Sequence, residues 1–254
     1  MRVLMATAPS ITIGDQPTFK VFGLTFDTYV IVATLVAAAI VLLLGWRARS
    51  TATSGVPGKL QLFFEFLIEQ VSELTDSVLG EEGYKYLGIG VMLFFFILVC
   101  NWLEFVPSTF QIGVTQDILP APTSDVNLPL AMALTVFFYC QYLAFKRRGF
   151  GGYFKHYTKP LVVMTPINVI EEITKPITLT FRLFGNVFAG GLLIVVVAVV
   201  GQKLAGQIGG QVALFLMSLI WRPFDTIFIG AIQALIFALL TIMYIGMSTS
   251  VDAH

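Results

Sequence analysis

The chain has 254 residues, of which 57% are hydrophobic and only 12% are charged, and its mean hydropathy is +0.86. A soluble domain carries about 25% charged residues, so this composition excludes a conventional soluble globular protein and a disordered chain. Because 15 basic and 15 acidic side chains balance, no nucleic-acid partner is expected. Cys100 and Cys140 lie in apolar runs, which argues against a disulfide framework or a metal site. We expect an integral membrane protein without a cofactor.

The N-terminal third predicts one membrane span and one surface helix. Residues 1–27 contain prolines and charges that interrupt any apolar core, so we expect an outer N-terminal segment and not a signal peptide. The uncharged run at 28–46 is long enough to cross a hydrocarbon core of about 30 Å. Within 59–79, apolar side chains recur every three or four residues with carboxylates between them. This pattern predicts an amphipathic cytoplasmic helix whose acidic face is solvated.

The remaining chain predicts a helical hairpin and two longer helices. The hairpin covers 86–145, and residues 163–250 form two helices joined by the glycine-rich segment 201–210. Each long helix has roughly 37 residues and a length of about 55 Å, which exceeds the bilayer core, so strong tilt is expected. The prediction is a single all-α membrane domain over 1–254, with about five crossing helices and one amphipathic surface helix.

Lysine and arginine residues predict the orientation, because they concentrate in short cytoplasmic loops. One set of loops holds most of them: Arg47, Arg49, Lys59, Lys85, Lys146, Arg147, Arg148, Lys155 and Lys159. Placing these loops in the cytoplasm puts the N-terminus outside and the C-terminus inside. The absence of a transit-peptide pattern favours a bacterial plasma membrane over an organelle.

Arg182 is the sharpest anomaly, because it lies within an otherwise apolar helix. Its guanidinium stays protonated, and an arginine at mid-membrane costs about 2.5–3.5 kcal/mol on insertion scales. Either it snorkels to a surface or it faces an acid. Glu171 and Lys175, four residues apart, are expected to pair with each other. The partner of Arg182 is therefore expected on another chain.

Polar residues near Arg182 predict a seam between the last two helices. Asn186 follows Arg182 by four residues and shares its helix face. In the final helix, small and polar residues, among them Thr226 and Tyr244, recur at helical spacing around Gln233. A lone glutamine often only joins two helices by a hydrogen bond, but beside Arg182 a functional role is the stronger interpretation.

These residues carry a resemblance to a known family. The segment 182–190 reads Arg-Leu-Phe-Gly-Asn-Val-Phe-Ala-Gly, and 166–176 before it reads Pro-Ile-Asn-Val-Ile-Glu-Glu-Ile-Thr-Lys-Pro. Together they resemble the signature of subunit a of F-type ATP synthases. The stretches 53–59, 122–128 and 233–244 match the same family in the same order.

The resemblance implies a function in ion transport. In that family, subunit a lies against a rotating ring of c subunits, each with a carboxyl group buried in lipid. Arg182 would be the essential arginine that deprotonates this carboxyl, and two offset half-channels would deliver and remove protons. The resemblance also implies b-type peripheral stalk subunits and other ATP synthase subunits as partners, and no catalysis by subunit a itself.

The resemblance also requires polar linings for two half-channels. We assign the cytoplasmic side to Asn168, Glu171 and Glu172, near the basic end of the fifth helix. The outer side is assigned to Asp125, Asn127, Asn186 and Asp225. Thr226 and Tyr244 of the last helix are expected to belong to the proton pathway, without assignment to one side. For Asp125, a simple cap on the helix that begins near Leu128 is nearly as good an interpretation.

The outer proton relay departs from the family pattern. Many members carry a glutamate where this chain has Gly191, and others carry a titratable group where it has Thr226. Asp225 precedes Gln233 by eight residues, which in an α-helix places it about 80° off that face. It therefore serves only if it reaches sideways, or if a helix irregularity near Pro223 corrects the register. The alternative is an ion pair with Arg222.

Two other functions compete with this interpretation. A solute transporter would show repeats and paired broken helices, and no convincing inverted repeat is present. An intramembrane aspartyl hydrolase would need two aspartates within spans, whereas only Asp225 lies near one. Both alternatives are weaker than a proton-translocating subunit.

Overall fold

The computed structural model describes residues 18–21, 24–53, 55–80, 83–103, 121–158 and 162–249. Two short antiparallel strands, β1 (Thr18–Val21) and β2 (Leu24–Asp27), pair with Thr18 opposite Asp27. The main helices are α1 (Thr28–Thr51), α2 (Lys59–Leu79), α3 (Tyr84–Leu103), α4 (Asn127–Tyr157), α5 (Thr165–Leu216) and α6 (Gly230–Thr249). The α-helical fold class is confirmed, and the β1–β2 hairpin is a small addition that the sequence did not predict.

Within these described ranges, five helical stretches are long and apolar enough to cross a membrane. They are Val30–Thr51, Tyr84–Leu103, Asn127–Lys155, Val162–Ala213 and Leu219–Thr249. The number of crossing helices agrees with the sequence prediction. Most of the predicted outer segment 1–27, and the loop at 104–120, lie outside the described residues.

Helix α2 has the bounds predicted from its amphipathic pattern. Its apolar stripe, including Phe64 and Val71, joins the buried core, whereas Glu65 and Glu69 are exposed. The rings of Phe64 and Phe95 lie 4.7 Å apart, which docks α2 on α3. The helix therefore covers the bundle with one face and presents its carboxylates outward.

The centre of the bundle is formed by α3 and α6, which make the most extensive helix contact. Gly90 of α3 allows this approach, because a Cβ atom there would lie 2.8 Å from Ile242 Cδ1 and 3.4 Å from Val71 Cγ1. Ile97 and Ile242 are fully buried at this contact. Small residues at helix crossings permit the close van der Waals packing that holds membrane bundles together.

Helix α4 continues beyond Phe145, the predicted end of the helical hairpin. Lys146 and Arg148 end the apolar run but not the helix, which extends to Tyr157 across a kink at Gly149. Gly149 has φ of 66°, a left-handed conformation that glycine adopts without steric cost. The chain after Phe145 is thus helical on both sides of a single bend.

The predicted glycine-rich junction at 201–210 is narrower in the structure. Helix α5 includes it and loses helical geometry only at Ala205 and Gly206. The break divides the chain into a first arm, 165–204, and a second arm, 207–249. The two arms lie close together near the break: a Cβ atom at Gly201 would be 2.9 Å from Ala213 Cβ. The chain therefore reverses direction with two non-helical residues and no loop.

The second arm contains two wide helical turns before α6 begins. Met217–Trp221 and Phe224–Ile229 are π-helical, with hydrogen bonds that span five residues. Pro223 lies between them, lacks an amide hydrogen and crowds the carbonyl four residues earlier. Wider turns relieve this crowding. They are a helix irregularity near Pro223, as the sequence analysis requires for Asp225 to share the face of Gln233.

Candidate functional site

Arg182 lies on an exposed face of α5 with apolar neighbours. Its side chain is exposed, as are those of Phe181, at 60%, and Phe188, at 53%. It lies 17 residues from the start of α5, about 25 Å along the helix axis. Among the described residues the ion pair found joins Glu172 and Lys175 and does not involve Arg182. A permanent charge among exposed apolar side chains is costly in a bilayer, so Arg182 stays the leading candidate functional residue.

Asn186 and Gln233, the predicted neighbours of Arg182, are both half-buried. Asn186 lies one turn further along α5, and Gln233 lies in the first turn of α6. Within the described ranges no hydrogen bond joins these two residues to each other or to Arg182. The structure therefore places them on neighbouring helices without linking them directly.

A polar cluster lies on one side of Arg182, near the start of α5. Gln141 Nε2 donates to Glu172 Oε2 at 3.0 Å, and Tyr153 Oη donates to Gln141 Oε1 at 3.0 Å. Tyr157 Oη donates to the same Oε1 at 3.3 Å. Lys175 Nζ lies 2.5 Å from Glu172 Oε1. The kink at Gly149 makes this possible, since it brings the end of α4 back toward Gln141.

A cavity of about 200 Å³ adjoins this cluster and provides room for water. It is lined by Gln141, Ala144, Arg148, Tyr153, Tyr157, Glu172, Lys175, Met247 and Ser248. Burial and a hydrogen bond with Tyr153 raise the pKa of Tyr157 above its usual value. Tyr157 is therefore a neutral hydrogen-bond donor at the edge of this cavity.

Of the three residues predicted on the cytoplasmic side, Glu172 belongs to this cluster, Asn168 bonds one of its members, and Glu171 is the neighbour of Glu172 along the chain. Asn168 Nδ2 donates to the carbonyl of Tyr157 at 2.9 Å. Lys175 Nζ lies 5.6 Å from the centre of the Tyr244 ring, within cation–π range. Glu171 is exposed. The expected Glu171–Lys175 pair is wrong, because Lys175 bonds Glu172, whose carboxylate Gln141 also holds.

A second polar site lies on the other side of Arg182. Asp225 is only 7% exposed, and its carboxyl lies directly against Gly190 of α5. A Cβ atom at Gly190 would lie 2.9 Å from Asp225 Cγ and would overlap Asp225 Oδ2. Thr226 is 3% exposed. Within the described ranges, buried polar atoms without a protein partner include Trp221 Nε1, Arg222 Nε and Thr226 Oγ1.

The wide turn at Phe224–Ile229 changes the register of Asp225. In a regular α-helix, eight residues rotate Asp225 about 80° away from the face of Gln233. A π-helical turn holds more residues, so each residue rotates the chain by less, and Asp225 moves toward that face. No ion pair between Asp225 and Arg222 occurs among the described residues. The structure thus favours the corrected register over the alternative pair.

Asp125 and Asn127 form a local turn at the start of α4. Asp125 Oδ1 accepts hydrogen bonds from the Asn127 backbone amide at 2.9 Å and from Asn127 Nδ2 at 2.8 Å. This bonding corresponds to the structural interpretation of Asp125. Its possible role in proton transport stays a prediction.

Asn101 is a buried polar residue that the sequence analysis missed. It lies near the end of α3, is 2% exposed and donates from Nδ2 to the carbonyl of Gly230 at 3.0 Å. Thr123 Oγ1 donates to Asn101 Oδ1 at 2.9 Å. The signal was a single asparagine in the apolar run 91–103, because a polar side chain in a membrane helix needs a partner.

Comparison with known proteins identifies the family. The ATP synthase A chain family matches residues 30–246. The chain is similar to ATP synthase subunit a of Acidothermus cellulolyticus, with 39% identity over 97% of this chain and 86% of that protein. It is also similar to the subunits a of Mycobacterium marinum, with 38% identity over 96% of both chains, and of Priestia megaterium, with 33% identity over 94% of this chain and 98% of that one. These relatives favour neither a solute transporter nor an intramembrane hydrolase. The chain therefore belongs to the ATP synthase subunit a family and is a membrane component of a rotary ATP synthase.

Proposed function

We propose that this chain is the proton-translocating stator subunit of a bacterial F-type ATP synthase, with Arg182 facing the carboxyl groups of a c-subunit ring. The observation that carries the proposal is the position of Arg182. It is exposed on an apolar face of α5, and a separate polar site lies on each side of it along the helix. This arrangement suits a charge that contacts a moving partner between two aqueous routes.

The two polar sites are offset along α5. Glu172 lies ten residues before Arg182 and Gly190 eight residues after it, about 15 Å and about 12 Å along the helix axis. The basic loops adjoin the Glu172 end, so this end is assigned to the cytoplasm. The N-terminus is then outside and the C-terminus inside, and both long helices cross the membrane with tilt.

The chemistry follows from the environment of the ring carboxyl. In lipid the carboxyl is neutral, because hydrocarbon disfavours its charge. Beside the permanent charge of Arg182 the ionised form is favoured, so the proton leaves there. Each proton driven through 100 mV supplies about 2.3 kcal/mol, which this subunit converts to rotation without catalysing ATP synthesis itself.

The outer route ends at Asp225. Its carboxyl is the only acidic group of the described residues 207–249. Unpartnered polar atoms belong to Arg222, three residues before it, and to Thr226, one residue after it. Buried polar atoms of this kind bind water. Asp125 and Asn127 border the outer mouth, and Asn186 lies between it and the ring.

The cytoplasmic route runs past Glu172 and its cavity. Gln141, Tyr153 and Tyr157 hold the Glu172 carboxylate at the cavity wall through a continuous set of hydrogen bonds. Asn168, Glu171 and Tyr244 border the same route. A polar cavity that opens on the cytoplasmic side allows protons to leave the ring by water.

The ring-facing surface includes Arg182 and the exposed aromatic side chains Phe181 and Phe188. Gln233 lies on the neighbouring helix and is half-buried at this surface. Peripheral stalk subunits of the b type and the remaining ATP synthase subunits are the other partners, and the surrounding lipid contacts the rest of the apolar exterior.

The test is proton pumping by inverted membrane vesicles that contain the whole complex. Arg182→Ala should abolish ATP-driven quenching of quinacrine fluorescence while leaving the complex assembled. Lys203→Ala, which removes an exposed charge near the break in α5, is the matched control and should pump normally. Normal quenching by the Arg182→Ala vesicles would overturn the proposal.

A further inference from the structure

We propose that Asn101 is a positioning residue for the outer proton route: its amide holds the wide turn that places Asp225 against Gly190. The inference rests on the proposed relay function of Asp225. Among the described residues Asn101 makes no hydrogen bond to the Asp225 carboxyl; it bonds Gly230, the residue at which the wide turn ends.

The contact lies at the junction between the wide turn and α6. Asn101 Nδ2 donates to the carbonyl of Gly230 at 3.0 Å. The backbone N–H of the same Gly230 donates to the carbonyls of Asp225 and Ile227. Gly230 thus closes the turn that contains Asp225 through its N–H and accepts the bond from Asn101 through its carbonyl.

The orientation of the Asn101 amide is fixed by Thr123. The Thr123 hydroxyl donates to Asn101 Oδ1 at 2.9 Å, which directs the amide nitrogen toward Gly230. Asn101 and Thr123 are both buried, at 2% and 0% exposure. Gly230 permits the approach, because a Cβ atom there would lie 3.1 Å from Asn101 Cβ.

The bond matters because a π-helical turn is a rare departure from α-helical geometry. The Asn101 amide gives the end of this turn an additional hydrogen bond in a place where lipid offers none. Without it the turn can relax to α-helical geometry, which would rotate Asp225 by up to about 80°. Asp225 would then leave both Gly190 and the face of Gln233.

The distance between positions 190 and 225 reports this geometry directly. We would introduce Gly190→Cys and Asp225→Cys in a chain with Cys100→Ala and Cys140→Ala, and oxidise the assembled complex in membranes. The two Cβ positions are close enough for a disulfide. Adding Asn101→Leu, which keeps the number and branching of the side-chain heavy atoms and removes both hydrogen bonds, should slow disulfide formation at least about fivefold.

A second cysteine pair controls for general loosening of the bundle. Gly201→Cys with Ala213→Cys joins the two arms at the other end, where a Cβ at Gly201 would lie 2.9 Å from Ala213 Cβ. Asn101→Leu should leave the rate of this pair unchanged. Equal slowing of both pairs, or no slowing of the 190–225 pair, would overturn the positioning role.

Two further variants keep the test decisive. Thr123→Val removes only the hydroxyl that orients the amide and should slow the 190–225 pair less than Asn101→Leu. If the leucine variant does not assemble, Asn101→Ser, which is too short to reach Gly230, replaces it with the same expected slowing. Because disulfide formation does not depend on proton pumping, loss of this effect is distinguishable from failure of the proposed transport function.

Discussion

The contact between Gly190 and Asp225 gives the sharpest test of the outer route. Gly190→Ala adds one methyl group at a position where it would overlap Asp225 Oδ2 and lie 2.9 Å from Cγ. The Asp225 side chain is short and buried, so its carboxyl must rotate away from α5. The substitution thus displaces the proposed relay without removing its charge.

The size of the effect follows from the packing. Overpacking of a buried site costs about 1–3 kcal/mol, and each 1.4 kcal/mol changes a rate or an equilibrium tenfold. If that cost falls on the productive position of the carboxyl, proton flux should decrease about 5- to 140-fold. Alanine is a better helix former than glycine by about 0.5–1 kcal/mol, so α5 itself should not be weakened.

The assay is ATP-driven proton pumping, normalised to the amount of assembled complex. Gly191→Ala is the matched control, because a Cβ atom at the adjacent position meets no atom within 4 Å. It should pump at the normal rate. Normal pumping by Gly190→Ala, or equal losses in both variants, would refute the assignment of Asp225 to the proton route.

Three other outcomes are expected. Asp225→Asn keeps the size of the side chain and removes its titration, so flux should fall at least tenfold, and added Gly191→Glu should restore part of it; normal flux in Asp225→Asn alone contradicts the relay. Gln141→Leu releases the Glu172 carboxylate from one hydrogen bond and should slow proton release severalfold without loss of assembly, as measured by pumping rate per complex. Cysteine at exposed Gly149 should react with an impermeant maleimide only from the cytoplasmic side, and cysteine at exposed Ser124 only from outside; reversed labelling inverts the topology.

Much of the fold was accessible from hydropathy and periodicity alone. The bounds of α2 agree with the prediction because a 3.6-residue pattern marks both its faces and its ends. The end of α4 was not accessible, since charges at Lys146 and Arg148 terminate a membrane span but not a helix. The β1–β2 hairpin was also missed, because it lies in a segment without any long apolar run.

The site was only partly predictable. Arg182 is evident because a permanent charge in an apolar run is costly in a membrane. Which of Glu171 and Glu172 bonds Lys175 was not predictable, because it depends on which carboxylate also meets Gln141 of α4. Pairing across helices leaves no trace in local spacing. Asn101 was missed for the same reason, since its partner Gly230 lies 129 residues away.

The junction of α5 at Ala205 and Gly206 fixes the angular phase between the two arms that carry Arg182 and Asp225. With only two non-helical residues between them, the junction has no slack to absorb a change in chain length. One inserted residue in the second arm before Asp225 would rotate the rest of that arm by about 100° and advance it by about 1.5 Å. The stretch between α1 and α2 does not set the rotation of one helix relative to the other. It is exposed where its side chains are described. Length variation in this family should therefore concentrate in that stretch and be absent from the segment between Arg182 and Asp225.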